Sequence, residues 1–169
     1  MVAKAKVRDG RSGRDSKSLQ GRPSVPLSRG KNIPGEPPAE SSDQRFQWNT
    51  NLLDAHVSTD VRCRWTWDIS PEDLKELLGF LGELSQQTWS EIERAMTGSQ
   101  TRRPKHHSHA VPSLCKAAQD RLAQVTDGSY PELFRFRYGG KQRLWGVRDR
   151  AVFMPIWLDL DHQVYPQET

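Results

Sequence analysis

Residues 133–158 read L-F-R-F-R-Y-G-G-K-Q-R-L-W-G-V-R-D-R-A-V-F-M-P-I-W-L. Three apolar-rich runs, 133–138, 142–147 and 151–158, are separated by Gly139-Gly140 and by Arg148-Asp149-Arg150. Connections this short can join neighbouring strands only in antiparallel order. The rest of the chain must therefore cover a three-stranded meander. Alternation also sets the register. A two-residue Gly-Gly turn would place Phe136 opposite Arg143, mixing apolar and charged side chains on one face. A three-residue turn through Lys141 pairs Phe136 with Leu144 and Arg135 with Trp145. Register follows the buried face, so the odd loop is expected. It collects Phe134, Phe136 and Leu144 on one side of the sheet. Arg135, Arg137, Arg143 and Trp145 fall on the other. Pro155 has no N–H for the ladder, so the last strand needs an edge position or a bulge.

The preceding chain reads mainly as helix. Ser70-Pro71-Glu72-Asp73 offers an N-cap serine, a proline at the first helical position and acids in the first turn. Leu74, Leu77, Leu78, Leu81 and Leu84 follow at helical spacing. Thr88-Trp89-Ser90-Glu91 has a capping-box pattern opening a second helix, with Ile92, Ala95 and Met96 inward and Gly98 as its stop. A third helix spans 113–125, with Leu114, Ala117, Ala118, Leu122 and Val125 as its apolar stripe. Arg62-Cys63-Arg64-Trp65-Thr66-Trp67 alternates like a strand or an extended arm, with Cys63, Trp65 and Trp67 on one face. His106-His107-Ser108-His109-Ala110-Val111 can add a strand. The pattern predicts an α+β domain over 46–166, with helices packed on a small antiparallel sheet of three or four strands.

Residues 1–45 are of another kind. They hold none of the 14 Phe, Trp and Tyr residues, yet carry a net charge of +5, leaving −1 for 46–169. Five Pro and five Gly lie among Ser, Lys and Arg there, so the segment is expected to be a disordered basic tail and linker. The sequence pI of about 9.3 therefore belongs to the tail. A uniformly basic, histone-like chain is excluded. No run approaches the roughly 18 apolar residues of a membrane span, and the N-terminus has no apolar core of a secretory signal. Cys63 and Cys115 are too few for a disulfide framework. They are expected as free thiols in a cytoplasmic protein.

Three constellations can carry chemistry. The first is the sheet face with Arg135, Arg137, Lys141, Arg143 and Trp145. Arginine grips phosphate with a planar fork, and an aromatic ring can stack on a base. The second is the histidine run, in which His107 and His109 share one side of an extended chain and His106 takes the other. Imidazole titrates near neutral pH and suits acid–base work. The spacing lacks the paired Cys or H-E-x-x-H signature of zinc, so no metal or cofactor is expected. The third is Asp159-Leu160-Asp161-His162, followed by Tyr165, where acids can orient an imidazole or simply bond turn N–H groups. There is no P-loop, G-x-G-x-x-G or G-x-S-x-G.

The stretch from Leu133-Phe134 through Arg137, Gly140-Lys141, Arg143 and Trp145-Gly146, then Val152-Phe153, Trp157, Asp159, His162 and Val164-Tyr165-Pro166, resembles a family of small bacterial and phage proteins. Their shared pattern is L-F-x-x-R-x-x-G-K-x-R-x-W-G, a turn, then V-F-x-x-x-W-x-D-x-x-H-x-V-Y-P. More remotely, strand arginines and a histidine or tyrosine near the last strand are similar to the RelE/ParE-like toxins of toxin–antitoxin systems. That resemblance implies a helical hairpin on an antiparallel sheet and metal-independent cleavage of ribosome-bound RNA. It also implies an antitoxin-like protein partner. On it, His107, His109, Arg137, Arg143, His162 and Tyr165 are the expected catalytic set, and Arg135, Lys141 and Trp145 join Arg137 and Arg143 in holding RNA. The alternative is a non-catalytic protein- or nucleic-acid-interaction module with a basic tether. The near-neutral domain means that either contact with nucleic acid runs through a local arginine face.

Overall fold

In chain order the elements are β1 (Gln47–Trp48), α1 (Pro71–Leu84), α2 (Trp89–Arg94), β2 (His107–Ala110), α3 (Lys116–Thr126), β3 (Glu132–Arg137), β4 (Arg143–Asp149) and β5 (Val152–Asp159), with a 3-10 turn at Val111–Ser113 before α3. They come from a computed structural model that describes residues 42–58, 60, 63–98 and 102–165. The tail expected to be disordered lies, up to residue 41, outside the described residues. The fold is α+β, as expected, but the sheet has five strands in the order β1-β5-β4-β3-β2. β1 pairs in parallel with β5, and the other pairings are antiparallel.

The meander has the expected register: Phe136 faces Leu144 and Arg135 faces Trp145. Pairing ends at Arg137 and Arg143, so 138–142 form an odd loop. The second turn is Arg150-Ala151 rather than 148–150, because Asp149 still pairs with Val152. Arg150 takes a left-handed φ of 55° there. Pro155 is absorbed by a bulge. Trp145 pairs with Trp157 but Gly146 with Pro155, leaving Ile156 as the extra residue. The bulge turns Ile156 and Trp157, neighbours in sequence, into the same core. Gly146 makes this crossing possible, since a Cβ there would meet the Met154 carbonyl oxygen and the Phe153 ring at 2.6 Å. Gly146→Ala is expected to cost about 1–3 kcal/mol by forcing the strands apart. Gly82→Ala, on an open helix surface, should stabilise by up to about 1 kcal/mol. Urea denaturation of the two variants checks both signs.

The helices are capped as their sequences predict. Ser70 Oγ accepts from the Asp73 N–H at 3.0 Å, and Thr88 and Glu91 complete a capping box. Leu77, Leu81 and Leu84 are buried, while Leu74 and Leu78 are exposed. The apolar stripe is thus narrower than its leucines suggest. α2 ends at Arg94, and Met96 leaves the core to bridge Pro104. α3 begins at Lys116, with Leu114 buried just before it.

Both faces of the sheet are covered. On one, Phe46, Trp89, Ile92 and the leucines of α1 pack on Phe134, Phe136, Leu144, Phe153 and Leu158. On the other, Trp65, Leu114, Ala118, Leu122 and Val164 pack on Leu133, Trp145, Val147 and Trp157. The alternating 62–67 segment forms no strand among its described residues. Cys63 and Trp65 join the second core, and Trp67 turns to the first. Trp65 stacks on Trp157 with centroids 4.7 Å apart. Cys63 and Cys115 are joined as a disulfide, their Cα atoms 6.1 Å apart. This corrects the free-thiol expectation: packing of the arm against the start of α3 brings together residues 52 apart in sequence. Among the described residues, no helix is long and apolar enough to cross a membrane.

Candidate anion-binding cleft

The second core stops short of the β2–β3–β4 corner. There Arg135, Arg137 and Arg143 point from the sheet toward His107 and His109 of β2 and toward the turn after β5. They line a cleft of about 830 Å³ with His162, Tyr165 and Lys105. An adjoining hollow of about 460 Å³ shares Arg137, Arg143 and His162 and adds Lys141 and Asp161. Chain segments far apart in sequence thus meet at one place. His107, His109, Arg135, Arg137, Lys141, Arg143, His162 and Tyr165 all border this pair of hollows. One expected contributor does not. Trp145 is fully buried and its indole N–H donates to Asp159 at 3.3 Å, so it offers no face for stacking on a base. Arg148 lies over the Trp89 ring at 3.9 Å and pairs with Glu93, which makes it a packing residue.

The local sequence explains the convergence. Alternation along β2 sends His107 and His109 into the cleft, their rings 4.6 Å apart, and sends His106 to the opposite face. There His106 sits against Phe136 at 5.0 Å and accepts the Arg137 N–H at 3.2 Å. His162 is presented by a tight turn in which it adopts a φ of 62°. Asp159, fully buried, holds that turn. Its carboxylate accepts from the N–H groups of Gln163 at 2.9 Å and Val164 at 3.0 Å. Turn chemistry and site chemistry here are the same feature. Tyr165 then packs on His109, ring centroids 4.4 Å apart.

Arg135 is the centre of the site. It is 8% exposed, and its two terminal nitrogens lie 3.1 Å from His162 Nε2 and 3.3 Å from His107 Nε2. A guanidinium can only donate, so both imidazole nitrogens accept, and both rings are neutral. The tautomer of His107 follows, because its Nδ1 lies 3.2 Å from the Pro104 carbonyl and must donate to it. Arg143, 6% exposed, donates to the carbonyls of Gly140 at 3.0 Å and Gln142 at 2.9 Å. Among the described residues, the Nε atoms of Arg135 and Arg143 and Nε2 of His109 have no hydrogen-bond partner.

Electrostatics agree with this assignment. Burial, reinforced by Arg135, lowers His109 to about 3. Burial and then Arg143 and Arg135 lower His162 to about 4. His107 is lowered by the same two causes, burial first and Arg135 next. Burial, followed by the neighbouring Arg143 and Arg137, brings Arg135 down to about 10. The cleft therefore holds guanidinium charge beside neutral imidazoles, with Asp159 as its buried carboxylate. Such a site favours an oxyanion and can accept a proton from it or beside it. Among the described residues, no three His, Cys, Asp or Glu side chains group as metal ligands. In comparisons with protein-family models, curated proteins and solved structures, nothing matches this chain.

Proposed function

We propose that this is a RelE/ParE-like, toxin-type protein that acts on RNA as a metal-independent endoribonuclease. The observation that carries the reading is the convergence of Arg135, Arg137 and Arg143 with His107, His109, His162 and Tyr165 on one cleft. Cleavage within RNA needs three things: removal of the 2′-hydroxyl proton, relief of charge at phosphorus, and a proton for the leaving oxygen. A neutral imidazole suits the first, and Nε2 of His109, beside the arginines, has no hydrogen-bond partner among the described residues. Arg137 and Arg143 would hold the phosphoryl oxygens as charge develops. The phenol of Tyr165, or an imidazole protonated once the phosphate is bound, would supply the last proton. Ribosome-bound messenger is the substrate that the resemblance suggests, and cytoplasm the compartment. There the Cys63–Cys115 bond would be exposed to reducing thiols.

Purified protein should cleave RNA in EDTA, with or without ribosomes, and Arg143→Ala should slow cleavage about hundredfold. No cleavage under any of these conditions sinks the enzymatic reading. A second reading, a non-catalytic interaction module with a basic tether, draws on Leu74 and Leu78. One turn apart on α1, they are 45% and 48% exposed and offer an apolar strip to an antitoxin-like protein.

A further inference from the structure

The donor–acceptor pattern around Arg135 has a thermodynamic consequence. Arg135 gives one N–H of each terminal nitrogen to His162 and His107, yet a phosphate or sulfate oxygen is a much stronger acceptor for a guanidinium than a neutral imidazole. An oxyanion entering the cleft would compete for those N–H donors. Each imidazole it displaces regains a free Nε2 lone pair and gains a nearby negative charge. We propose that the cleft takes up a tetrahedral oxyanion together with a proton, Arg135 handing its N–H donors from His107 and His162 to the anion. The proton comes from solvent and goes to Nε2 of the released ring, which then donates to the anion in its turn.

The charges facing these rings all bear on the exchange. Before β2, Arg103 and Lys105 line the cleft. On the strands, His109, Arg137 and Arg143 face the two rings, and Asp159 draws on Arg135 and Arg143. The loops contribute Lys141 and Asp161 beside His162, and Tyr165 beside His109. Cations outnumber carboxylates, so they disfavour protonation of His107 and His162 in the free protein. A bound anion offsets that field at the ring nearest to it. In the free protein the rings stay neutral, with burial and Arg135 holding His107 down and burial with Arg143 and Arg135 bringing His162 to about 4.

The proposal needs no RNA cleavage, so it can fail or stand separately from the enzymatic reading. Sulfate is the probe, because it does not titrate near neutrality. Titration calorimetry of the full chain with sodium sulfate, in buffers of different ionisation enthalpy, should show net proton uptake of up to one per anion. Affinity should rise as pH is lowered, approaching about tenfold per pH unit only below the pH at which the sulfate-bound ring titrates. The ring that takes the proton, His107 or His162, should titrate at higher pH with sulfate than without. Arg135→Lys keeps the charge but lacks the fork, and uptake should vanish. His162→Gln, at a turn that other residues hold, should reduce uptake and guards against a folding defect in the first variant. A thymidine dinucleoside monophosphate, which has no 2′-hydroxyl to react, separates the two sources of anion. Uptake with it as well assigns the cleft to phosphodiesters, and uptake with sulfate alone assigns it to free oxyanions. Absent sulfate binding, binding without proton uptake, or a proton that lands on neither His107 nor His162 overturns the proposal.

Discussion

Asp54→Ala is expected to destabilise the domain by about 3–5 kcal/mol, enough to remove a large part of its stability. Asp54 is 5% exposed and joins three parts of the fold through one carboxylate. Arg121 of α3 grips it with two nitrogens at 2.7 and 2.8 Å. The Trp157 indole of β5 donates at 2.9 Å, and the His56 N–H at 3.1 Å. Burial alone would push this carboxyl up. The hydrogen bonds from Arg121, Trp157 and His56 outweigh burial and hold it below the usual carboxylate range. Removing the side chain leaves a buried indole N–H without its acceptor and a guanidinium without its partner. Asp54→Asn should cost less, since it keeps an acceptor oxygen for Trp157 and leaves Arg121, 29% exposed at its side chain, partly to water. Leu53→Ala, at an exposed neighbour, should change stability by under about 0.5 kcal/mol. Urea denaturation ranks the three. An Asp54→Ala protein within 1 kcal/mol of the parent would show that the carboxylate ties nothing together.

Asp54 also marks where sequence reasoning ran out. The hairpin register was legible because Leu133-Phe134-Arg135-Phe136-Arg137 alternates and only one loop parity buries Phe136. The helix starts at Ser70 and Thr88 were legible because caps are local chemistry. The cleft residues were legible in identity, since Arg, His and Tyr recur on strand and turn positions that a sheet brings together. Missing were features that depend on contacts distant in sequence. β1 is two residues long and pairs in parallel with the last strand, which no local period announces. Trp145 read as an outer-face residue because nothing nearby shows that Leu52, Trp65 and α3 cover that face. Cys63 and Cys115 read as separate thiols for the same reason. Asp54 stood in Asn51-Leu52-Leu53-Asp54-Ala55-His56, a stretch with no repeat, so its burial had no sequence signal. Arg135 was visible as a strand arginine. Its burial between two histidines depended on β2 and the 160–163 turn arriving from opposite sides.

Stability should fall by about 4 kcal/mol when pH is lowered from 7.5 to 5, and the histidines that the fold keeps neutral are the cause. A histidine with a lower pKa folded than unfolded leaves the unfolded chain binding more protons between the two values. Its stabilising contribution is complete above about 6.5 and is lost as pH falls toward the folded value. His106, 4% exposed, is lowered to about 3 by burial and then by Lys105 and Arg135. By pH 5 it alone accounts for about 2 kcal/mol. His109, lowered to about 3, and His162, lowered to about 4, are better solvated and contribute about half as much each after allowance for screening. His107 moves in the same direction. Burial pushes the Asp159 carboxyl up, which opposes this trend. His106 separates the packing histidine from the cleft. It touches Phe136 and accepts from Arg137 N–H without reaching the cleft lining, so His106→Gln should remove about 2 kcal/mol of the pH-dependent loss while leaving sulfate-linked proton uptake unchanged. Urea-derived stabilities at pH 7.5 and 5 for parent and variant measure both. A parent protein equally stable at the two values would mean that the imidazoles protonate freely in the fold, and that Arg135 does not hold His107 and His162 as acceptors.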